Sequence, residues 1–343
     1  MKASVLFAPQ DLRWEEKPKP VPQANQALIR IKAVGICGSD YHFYQEGKCG
    51  TAILKRPFIL GHEAAGEVIE VGRDVKKLKV GDRVAIEPGI TCGKCKYCKT
   101  GRYNLCSEVR FLADSLTDGA FVEYLSMPED LLFILPDNIS YEQGALIEPL
   151  SVGIYAVENS HPRPGDKVAI FGQGPIGLGI LKVLLVYGIT DILVTDISEA
   201  RLNISRKQDE TIITVNAAQE DPVERVLSFS HGGVSCVFEA SGAVLTIRQC
   251  FEVVEKGGRI SLVGITNQKE INIPIPKIVD NQISVCGSFR YASTYPKAIS
   301  LLSSGKLKVD DLITHRFPFE KLEEGFKLIK EGRKDVIKVM INC

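Results

Sequence analysis

The sequence lacks an excess of charge of either sign, and it lacks a long uninterrupted apolar run. Lysine plus arginine and aspartate plus glutamate number 42 each, so the 343-residue chain has no formal net charge. Nucleic-acid binding requires a basic surface for the phosphates, so this balance argues against nucleic acid as the main ligand. The longest apolar stretch, residues 175–194, contains Lys182, Asp191 and several glycines, which argues against a membrane span.

A secretory signal, internal repeats and low-complexity linkers are also not evident. The N-terminus has only a short apolar run before charged residues resume, which argues against a signal peptide. Ten cysteines without such a signal indicate a reducing compartment and metal chemistry rather than a disulfide framework. The sequence therefore predicts a cytoplasmic protein, and its length suits roughly two domains.

Four of the ten cysteines lie close together in the segment CGKCKYCKTGRYNLC. Cys92, Cys95, Cys98 and Cys106 have the spacing C-x2-C-x2-C-x7-C. A loop this short can place four thiolates tetrahedrally around one zinc ion. Four thiolates leave no coordination position open for a substrate, so residues 92–106 are predicted to form a structural zinc site. Such a site occurs both in zinc-ribbon binding modules and in enzymes that hold a second metal elsewhere.

The pattern of apolar residues changes along the chain. Before about residue 150, short β-branched runs such as 27–34, 66–72 and 83–87 lie between glycine- and proline-rich turns, which indicates a β-rich domain. From Asp166, strand and helix patterns alternate, which is typical of a doubly wound parallel sheet. The pattern becomes mixed again after about residue 290. We predict a β-rich domain over 1–150, an inserted α/β domain over 151–290, and a return to the first domain over 291–343.

A glycine-rich motif follows the predicted strand KVAIF and precedes a predicted helix. Its residues are Gly172, Gln173, Gly174, Pro175, Ile176 and Gly177. In this context the first glycine makes a tight turn, the second lets the backbone approach a pyrophosphate, and the third allows close helix–strand packing. The N-terminus of the helix would supply amide donors to the phosphates.

The next predicted strand ends at Asp196, about 20 residues after the motif, where an acid commonly binds the ribose hydroxyls. A carboxylate there would repel a 2′-phosphate, so NAD is favoured over NADP. Arg201 lies close by in sequence and is a candidate cofactor-binding residue, although it could also meet a 2′-phosphate.

A second, open metal site would suit hydride transfer to a nicotinamide. Catalytic zinc takes about three protein ligands and keeps one position open. Cys37 in GICGSDYH, His62 and Glu63 in GHE, and Glu148 in ALIEPL have suitable side chains. The order and spacing of the whole set, rather than any one residue, make it a candidate site.

The chain resembles the zinc-containing medium-chain alcohol dehydrogenases, and among them the sorbitol (polyol) dehydrogenases. The resemblance covers essentially the whole length and includes GICGSDYH, LGHEAAGEV, VGDRVAIEPG, the four-cysteine loop, ALIEPLSVG, FGQGPIGLG, VTDIS and SFRYASTYP. It implies a GroES-like catalytic domain with an inserted Rossmann NAD-binding domain, an α/β plus β fold. It also implies NAD and two zinc ions per chain, one catalytic and one structural.

The resemblance further implies roles for single residues. Cys37, His62 and a glutamate would hold the catalytic zinc, and either Glu63 or Glu148 could bind it directly or through water. Ser39 and His42 match the proton-relay positions, with Glu148 beside a zinc-bound water as another proton route. Arg290 and Tyr291 match positions that contact polyol hydroxyls.

The predicted activity is oxidation of a secondary hydroxyl of an open-chain polyol, such as sorbitol or xylitol, to a ketose. L-threonine 3-dehydrogenase, hexonate dehydrogenase and polyol-phosphate dehydrogenase activities are alternatives within the family. A zinc-ribbon binding protein is an alternative of another class, favoured only by the four-cysteine loop and nearby basic residues. The expected partners are a small-molecule substrate and further copies of the same chain, as a dimer or tetramer.

Overall fold

The computed structural model describes residues 1–50 and 52–343, which form two compact units. Residues 1–148 and 292–343 form one unit, which we call the split unit. Residues 149–291 form the other, which we call the central unit.

The N-terminal segment of the split unit is rich in strands and has three short helices. Its strands are β1 (Lys2–Ala8), β2 (Asp11–Glu16), β3 (Gln26–Ile36), β4 (Lys48–Cys49), β5 (Ala52–Ile53), β6 (Phe58–Ile59), β7 (Glu63–Val71), β8 (Arg83–Ile86), β9 (Gly89–Ile90), β10 (Arg110–Phe111), β11 (Tyr124–Pro128) and β12 (Leu132–Ile134). Its helices are α1 (Gly38–Glu46), α2 (Lys96–Lys99) and α3 (Tyr141–Ala145).

Helices and strands alternate from residue 147 onward. The elements up to residue 287 are α4 (Ile147–Ser160), β13 (Val168–Phe171), α5 (Pro175–Val186), β14 (Ile192–Asp196), α6 (Glu199–Arg206), β15 (Ile213–Asn216), α7 (Pro222–Ser230), β16 (Val234–Glu239), α8 (Val244–Val253), β17 (Val254–Leu262), α9 (Ile275–Asp280) and β18 (Ser284–Gly287). The C-terminal elements are α10 (Tyr295–Ser303), β19 (Ile313–Pro318), α11 (Leu322–Lys330) and β20 (Lys338–Asn342).

The split unit is built around a seven-stranded sheet in which β20 lies between β3 and β19. Strand β3 is the longest, and most of its residues are buried because both of its faces pack against apolar side chains. The C-terminal strand β20 pairs antiparallel with β3, with Val339 opposite Ile36 and Met340 opposite Gly35. This register brings the start of β20 beside Cys37, at the end of β3.

The central unit contains a six-stranded sheet with the strand order β15-β14-β13-β16-β17-β18, and every pair is parallel. All residues of β13 and β14 are buried, as expected for strands covered by helices on both faces. The strand order reverses between β13 and β16. In such sheets, ligands bind outside the carboxyl ends of the strands at this switch point.

Helix α1 was not predicted: the sequence pattern indicated only short strands and turns in this region. It begins directly after Cys37 and ends before Gly47, which has a left-handed φ of 68°. Its sequence, GSDYHFYQE, has a weak apolar period, and only Asp40, Phe43 and Tyr44 of the helix are buried. The Asp40 cap at its start and the burial of Phe43 and Tyr44, rather than apolar periodicity, stabilise this element.

Helices long and apolar enough to cross a membrane do not occur among the described residues.

Candidate active site and metal sites

Asp40 organises the two turns that carry Cys37 and His62. Its Oδ2 accepts the backbone N–H of Cys37 at 3.0 Å, and its Oδ1 accepts that of Gly61 at 2.9 Å. Gly61 has φ +90°, a conformation that glycine adopts without strain. Because Asp40 is only 1% exposed, these two charge-assisted bonds lie away from water and hold the turns together.

The side chains of Cys37, His62 and Glu63 converge at one point of the split unit. One ligand atom from each lies within 4.8 Å of those of the other two. His62 Nδ1 lies 3.6 Å from Asp40 Oδ1, which is an electrostatic contact beyond hydrogen-bond distance. A thiolate, an imidazole and a carboxylate form the three-ligand donor set of an open zinc site, so these residues fit a catalytic zinc.

The electrostatics of His62 reflect its buried, negatively charged surroundings. Burial opposes protonation, but the charges of Asp40 and Cys37 outweigh it and raise the pKa of His62 well above its ordinary value. A metal at this site would have to displace that proton.

Glu63 forms a buried ion pair with Lys338 from the C-terminal strand. Lys338 Nζ lies 2.6 Å from Oε1 and 2.7 Å from Oε2, and it also donates to the Ile36 carbonyl at 3.2 Å. Burial would lower the pKa of Lys338, but the Glu63 charge raises it above its ordinary value. A Cβ atom on Gly35 would lie 2.1 Å from Glu63 Oε2, so only glycine leaves room for the carboxylate in this position.

Glu148 lies in the first turn of α4 and is buried, but it is outside the converging set of Cys37, His62 and Glu63. Its charge contributes to the raised pKa of Lys338. Burial, together with the Glu148 charge, also raises the pKa of Glu87 to about 7, although the hydrogen bond from Tyr103 acts in the opposite direction. Tyr103 Oη donates to Glu87 Oε1 at 2.8 Å and accepts the Ser293 N–H at 2.7 Å.

The four-cysteine loop has the dimensions of a closed zinc site. The Sγ atoms of Cys92 and Cys98, Cys95 and Cys98, and Cys92 and Cys106 lie 3.9, 3.5 and 3.5 Å apart. A tetrahedral site with Zn–S bonds of about 2.3 Å has S–S separations of about 3.8 Å. Backbone N–H groups of Lys94 and Cys95 lower the pKa of Cys92 to about 7, which favours the thiolate. The loop therefore fits a structural zinc.

The glycine-rich turn lies at the carboxyl end of β13, at the switch point of the central sheet. Gly172 has φ +95°, and its N–H donates to the Thr195 carbonyl at 2.8 Å. A Cβ on Gly177 would lie 1.9 Å from the Gly172 oxygen, whereas one on Gly174 would meet no described atom within 4 Å. The third glycine thus permits close packing, and the second faces open space where a pyrophosphate fits. Pro175 and Ile176 begin α5 immediately afterwards.

Asp196 ends β14 next to this turn, and its carboxylate is held by backbone donors. Oδ2 accepts the Gln173 N–H at 2.7 Å, and Oδ1 accepts the Ser198 N–H at 2.8 Å. Arg201 Nη1 lies 3.7 Å from Oδ2. The geometry is that of an acidic ribose site with an arginine beside it.

The remaining candidate residues lie in two places. Ser39 and His42 are on α1 in the split unit, both partly exposed, and His42 Nδ1 lies 3.6 Å from Glu46 Oε1. Arg290 and Tyr291 follow β18 in the central unit. Arg290 has φ +51° and its guanidinium lies 4.9 Å from the Phe289 ring centroid, while Tyr291 is buried.

Sequence reasoning missed three residues that shape the metal site: Asp40, Lys338 and Glu87. Asp40 could have been found, because an acid three residues after the Cys37 position is a helix-capping signal. Glu87 and Lys338 carry no local signal, since their importance depends on contacts with residues far along the chain.

Models of known protein families match residues in both units. The family model described as "Alcohol dehydrogenase GroES-like domain" matches residues 23–137, and the model described as "Zinc-binding dehydrogenase" matches residues 175–304. The chain is 42% identical over 342 residues to the sorbitol dehydrogenase of Bacillus subtilis (strain 168), covering 99% of this chain and 97% of that protein.

Two solved structures are also similar over nearly the whole chain. An Escherichia coli oxidoreductase/dehydrogenase of unknown specificity has a TM-score of 0.95 and 36% identity, covering 99% of this chain and 98% of that one. The 2R,3R-butanediol dehydrogenase of Bacillus subtilis has a TM-score of 0.90 and 35% identity, covering 100% and 99%. The two family models and the 42% identity to a sorbitol dehydrogenase over nearly the whole length show the family. The chain belongs to the zinc-containing medium-chain alcohol dehydrogenases and resembles the sorbitol dehydrogenases within them.

Proposed function

We propose that the protein is an NAD-dependent polyol dehydrogenase, which oxidises a secondary hydroxyl of an open-chain sugar alcohol to a ketone. The observation that carries this proposal is the converging set of half-buried Cys37 and buried His62 and Glu63, with a carboxylate in place of a second thiolate. The similarity to a sorbitol dehydrogenase over nearly the full length supports the substrate class.

Zinc bound by this set would act as a Lewis acid that makes the substrate hydroxyl more acidic, and NAD would accept the hydride. We assign the zinc ligands as Cys37, His62 and Glu63. The support for Glu63 over Glu148 is its place in the converging set, which leaves Glu148 to hydrogen-bond a water or the substrate hydroxyl. The Asp40 carboxylate lies 3.6 Å from His62 Nδ1, so its charge acts on the imidazole from beside the metal position.

The proton of the substrate hydroxyl needs a path to solvent. We propose that Ser39 and His42 provide it, because both lie on the partly exposed side of α1, the helix that begins at the zinc ligand Cys37. His42 suits this role since imidazole gains and loses protons near neutral pH.

Arg290 and Tyr291 are proposed to bind substrate hydroxyls. A polyol pocket must supply several hydrogen-bonding groups, and a guanidinium and a phenol can each contact an alcohol. Arg290→Ala is expected to raise KM for polyols with little change in KM for NAD. Arg248→Ala, which removes an exposed arginine of the same unit, is the matched control.

The test of the function is the initial rate of NADH formation with sorbitol, xylitol, galactitol, L-threonine and hexonates, with NADP in a parallel series. Rapid oxidation of free polyols with NAD would support the proposal. Activity confined to threonine or a hexonate would replace the substrate but keep the family chemistry. Inactivity with all of these and activity with polyol phosphates would assign a phosphorylated substrate.

We also infer a cytoplasmic homo-oligomer. Ten free thiols, four of them in a zinc-type cluster, suit a reducing compartment. Strand β18 pairs with β17 and has no second strand neighbour among the described residues, while Val285 on β18 and Val279 on α9 are exposed. An apolar edge strand of this kind suits pairing with a second copy of the chain.

A further inference from the structure

The glycine-rich turn of the central unit is tied to helix α6 by a buried side-chain hydrogen bond. Ser205 Oγ, on α6, donates to Gln173 Oε1 at 2.9 Å. The other end of the same amide, Gln173 Nε2, donates to the Gly172 carbonyl at 3.0 Å. Gln173 and Ser205 are both fully buried, so water does not compete for these bonds.

This bond closes a ring of contacts around Asp196. The Gln173 backbone N–H donates to Asp196 Oδ2, and the N–H of Ser198, the residue that caps α6, donates to Asp196 Oδ1. Helix α6 then returns to the turn through Ser205 and Gln173. The backbone that would approach the pyrophosphate and the acid that would bind the ribose are therefore held at a fixed separation by three hydrogen bonds.

We infer that Gln173 and Ser205 are positioning residues for the dinucleotide cofactor. They do not need to contact it, because the Gln173 side chain is buried within the unit. Their effect is to keep the turn and Asp196 in the arrangement that binds both the pyrophosphate and the ribose. The inference rests on the proposed use of NAD. It adds a role for the side chain of Gln173, a non-glycine residue of the motif, and for Ser205, which lies outside the motif.

The physical basis is preorganisation. If the turn and α6 can move independently, only a fraction of the molecules present both halves of the site correctly. The apparent dissociation constant then rises by the inverse of that fraction. The loss should affect any ligand that carries the ADP half of the cofactor, whereas the metal site in the split unit should not be affected.

Removing the Ser205 hydroxyl and removing the Gln173 amide differ in whether they leave a buried polar group unpaired. Ser205→Ala leaves the amide oxygen of Gln173 buried without its hydroxyl donor, which costs stability. Gln173→Met leaves the Ser205 hydroxyl with an acceptor, because the Arg201 carbonyl lies 3.3 Å away on the same helix. The double variant leaves neither the Gln173 amide nor the Ser205 hydroxyl unpaired. Like Gln173→Met, it removes the Nε2–H donor of the Gly172 carbonyl, so Ser205→Ala is the variant that breaks the bond between the turn and α6 alone.

The experiment is calorimetric titration of the zinc-loaded full-length protein with NAD and, separately, with ADP-ribose. Each of the three variants is expected to raise both dissociation constants about tenfold. In steady-state assays, KM for NAD should rise while kcat and KM for the polyol stay near wild type. In a double-mutant cycle the effects should be non-additive, since either change breaks the same contact.

Ser230→Ala is the matched control. Ser230 is a buried hydroxyl of the same unit that donates to the Val226 carbonyl at 2.7 Å and accepts the Gly233 N–H at 2.9 Å, away from the turn. It should lower the melting temperature without changing the affinity for NAD. If the folded Gln173 and Ser205 variants bind NAD and ADP-ribose as tightly as wild type, the pair is only a packing contact and the inference is wrong. If the wild-type protein itself does not bind NAD, the proposed cofactor is wrong, and this outcome is distinct from a failure of the inference about Gln173 and Ser205.

Discussion

Three buried ionisable residues outside the set of Cys37, His62 and Glu63 interact with candidate site residues. Asp40 faces His62, Lys338 faces Glu63, and Glu87 lies in the field of Glu148. A buried charge is stable only when it is paired or hydrogen-bonded. The site therefore depends on residues that would not themselves bind metal or substrate.

Replacing Lys338 with methionine should destabilise the metal-free protein more than the zinc-loaded protein. The change leaves the buried Glu63 carboxylate without its cation, and breaking such a pair typically costs about 3–5 kcal/mol. Bound zinc would supply positive charge to the same carboxylate and reduce the loss. Denaturant unfolding with and without chelator measures both effects. Lys338→Met combined with Glu63→Gln should recover stability, and equal losses in the two forms would contradict the prediction.

Glu87 should make stability depend on pH in a defined direction. Its pKa in the folded protein is about 7, above its ordinary value of 4.5, so the native state holds a proton that the unfolded chain releases. Stability should therefore fall as pH rises from about 4.5 to about 7, by about 3 kcal/mol in all. Glu87→Gln carries no charge and can still accept the Tyr103 hydrogen bond. The stability of this variant should therefore not fall over the same pH range.

The measurement is the free energy of unfolding of Glu87→Gln relative to wild type at pH 5 and pH 8. The variant should be more stable at pH 8, with a smaller difference at pH 5. Glu70→Gln, at an exposed position of β7, is the control and should show no such trend. The same difference at both pH values would rule out Glu87 as the titrating group.

At the scale of elements, the C-terminal strand and the four-cysteine loop both support the metal site from a distance in sequence. Strand β20 pairs with β3 and supplies Lys338. The loop contributes Tyr103, which connects Glu87 with the backbone of Ser293. The four-cysteine loop is thus in contact with the buried Glu87, which interacts with the candidate site residue Glu148.

Cys95→Ser should release the structural zinc and lower activity without removing a ligand of the catalytic zinc. Elemental analysis should show a fall from two zinc ions per chain to one, matching the two ligand sets. The freed loop should become sensitive to trypsin, since Lys94, Lys96, Lys99 and Arg102 lie within or beside α2. Cys343→Ser, outside both sets, is the control. Retention of both zinc ions would show that the loop does not need all four thiolates.

At the scale of the whole molecule, the sheet of the central unit has an edge strand with no second neighbour in the part of the chain that the structure describes. Strand β18 pairs on one side with β17, and Val285 is 37% exposed. A second copy pairing there would satisfy the backbone groups of the edge and cover apolar side chains.

Val285→Asp should shift the protein toward a smaller assembly, because it places a charge on this edge. Light scattering after size-exclusion chromatography should show a lower mass, with the dissociation constant of the assembly raised at least about tenfold, or roughly 1.4 kcal/mol. Val80→Asp changes an exposed valine of the split unit and should leave the mass unchanged. An unchanged mass for Val285→Asp would exclude β18 as the interface.

The sequence alone determined the features whose geometry depends on near neighbours. The four-cysteine loop, the glycine turn with Asp196, and the Cys37 and His62-Glu63 motifs are each contained in a short segment. Short segments can be interpreted because a few backbone torsions set the relative positions of their side chains. The alternation of strand and helix from Asp166 predicted the parallel sheet for the same reason, since apolar periodicity is local.

Only the tertiary structure decided which distant residues meet. Helix α1 has little apolar periodicity of its own, and besides the Asp40 cap it depends on the burial of Phe43 and Tyr44. Glu63 and Glu148 were equal candidates in the sequence, and the folded chain brings only Glu63 into the set with Cys37 and His62. Lys338 reaches Glu63 across 275 residues, and Ser205 reaches Gln173 across 32. Such pairings depend on strand register and on helix packing, which arise from the burial of the whole core and are not encoded in any one segment.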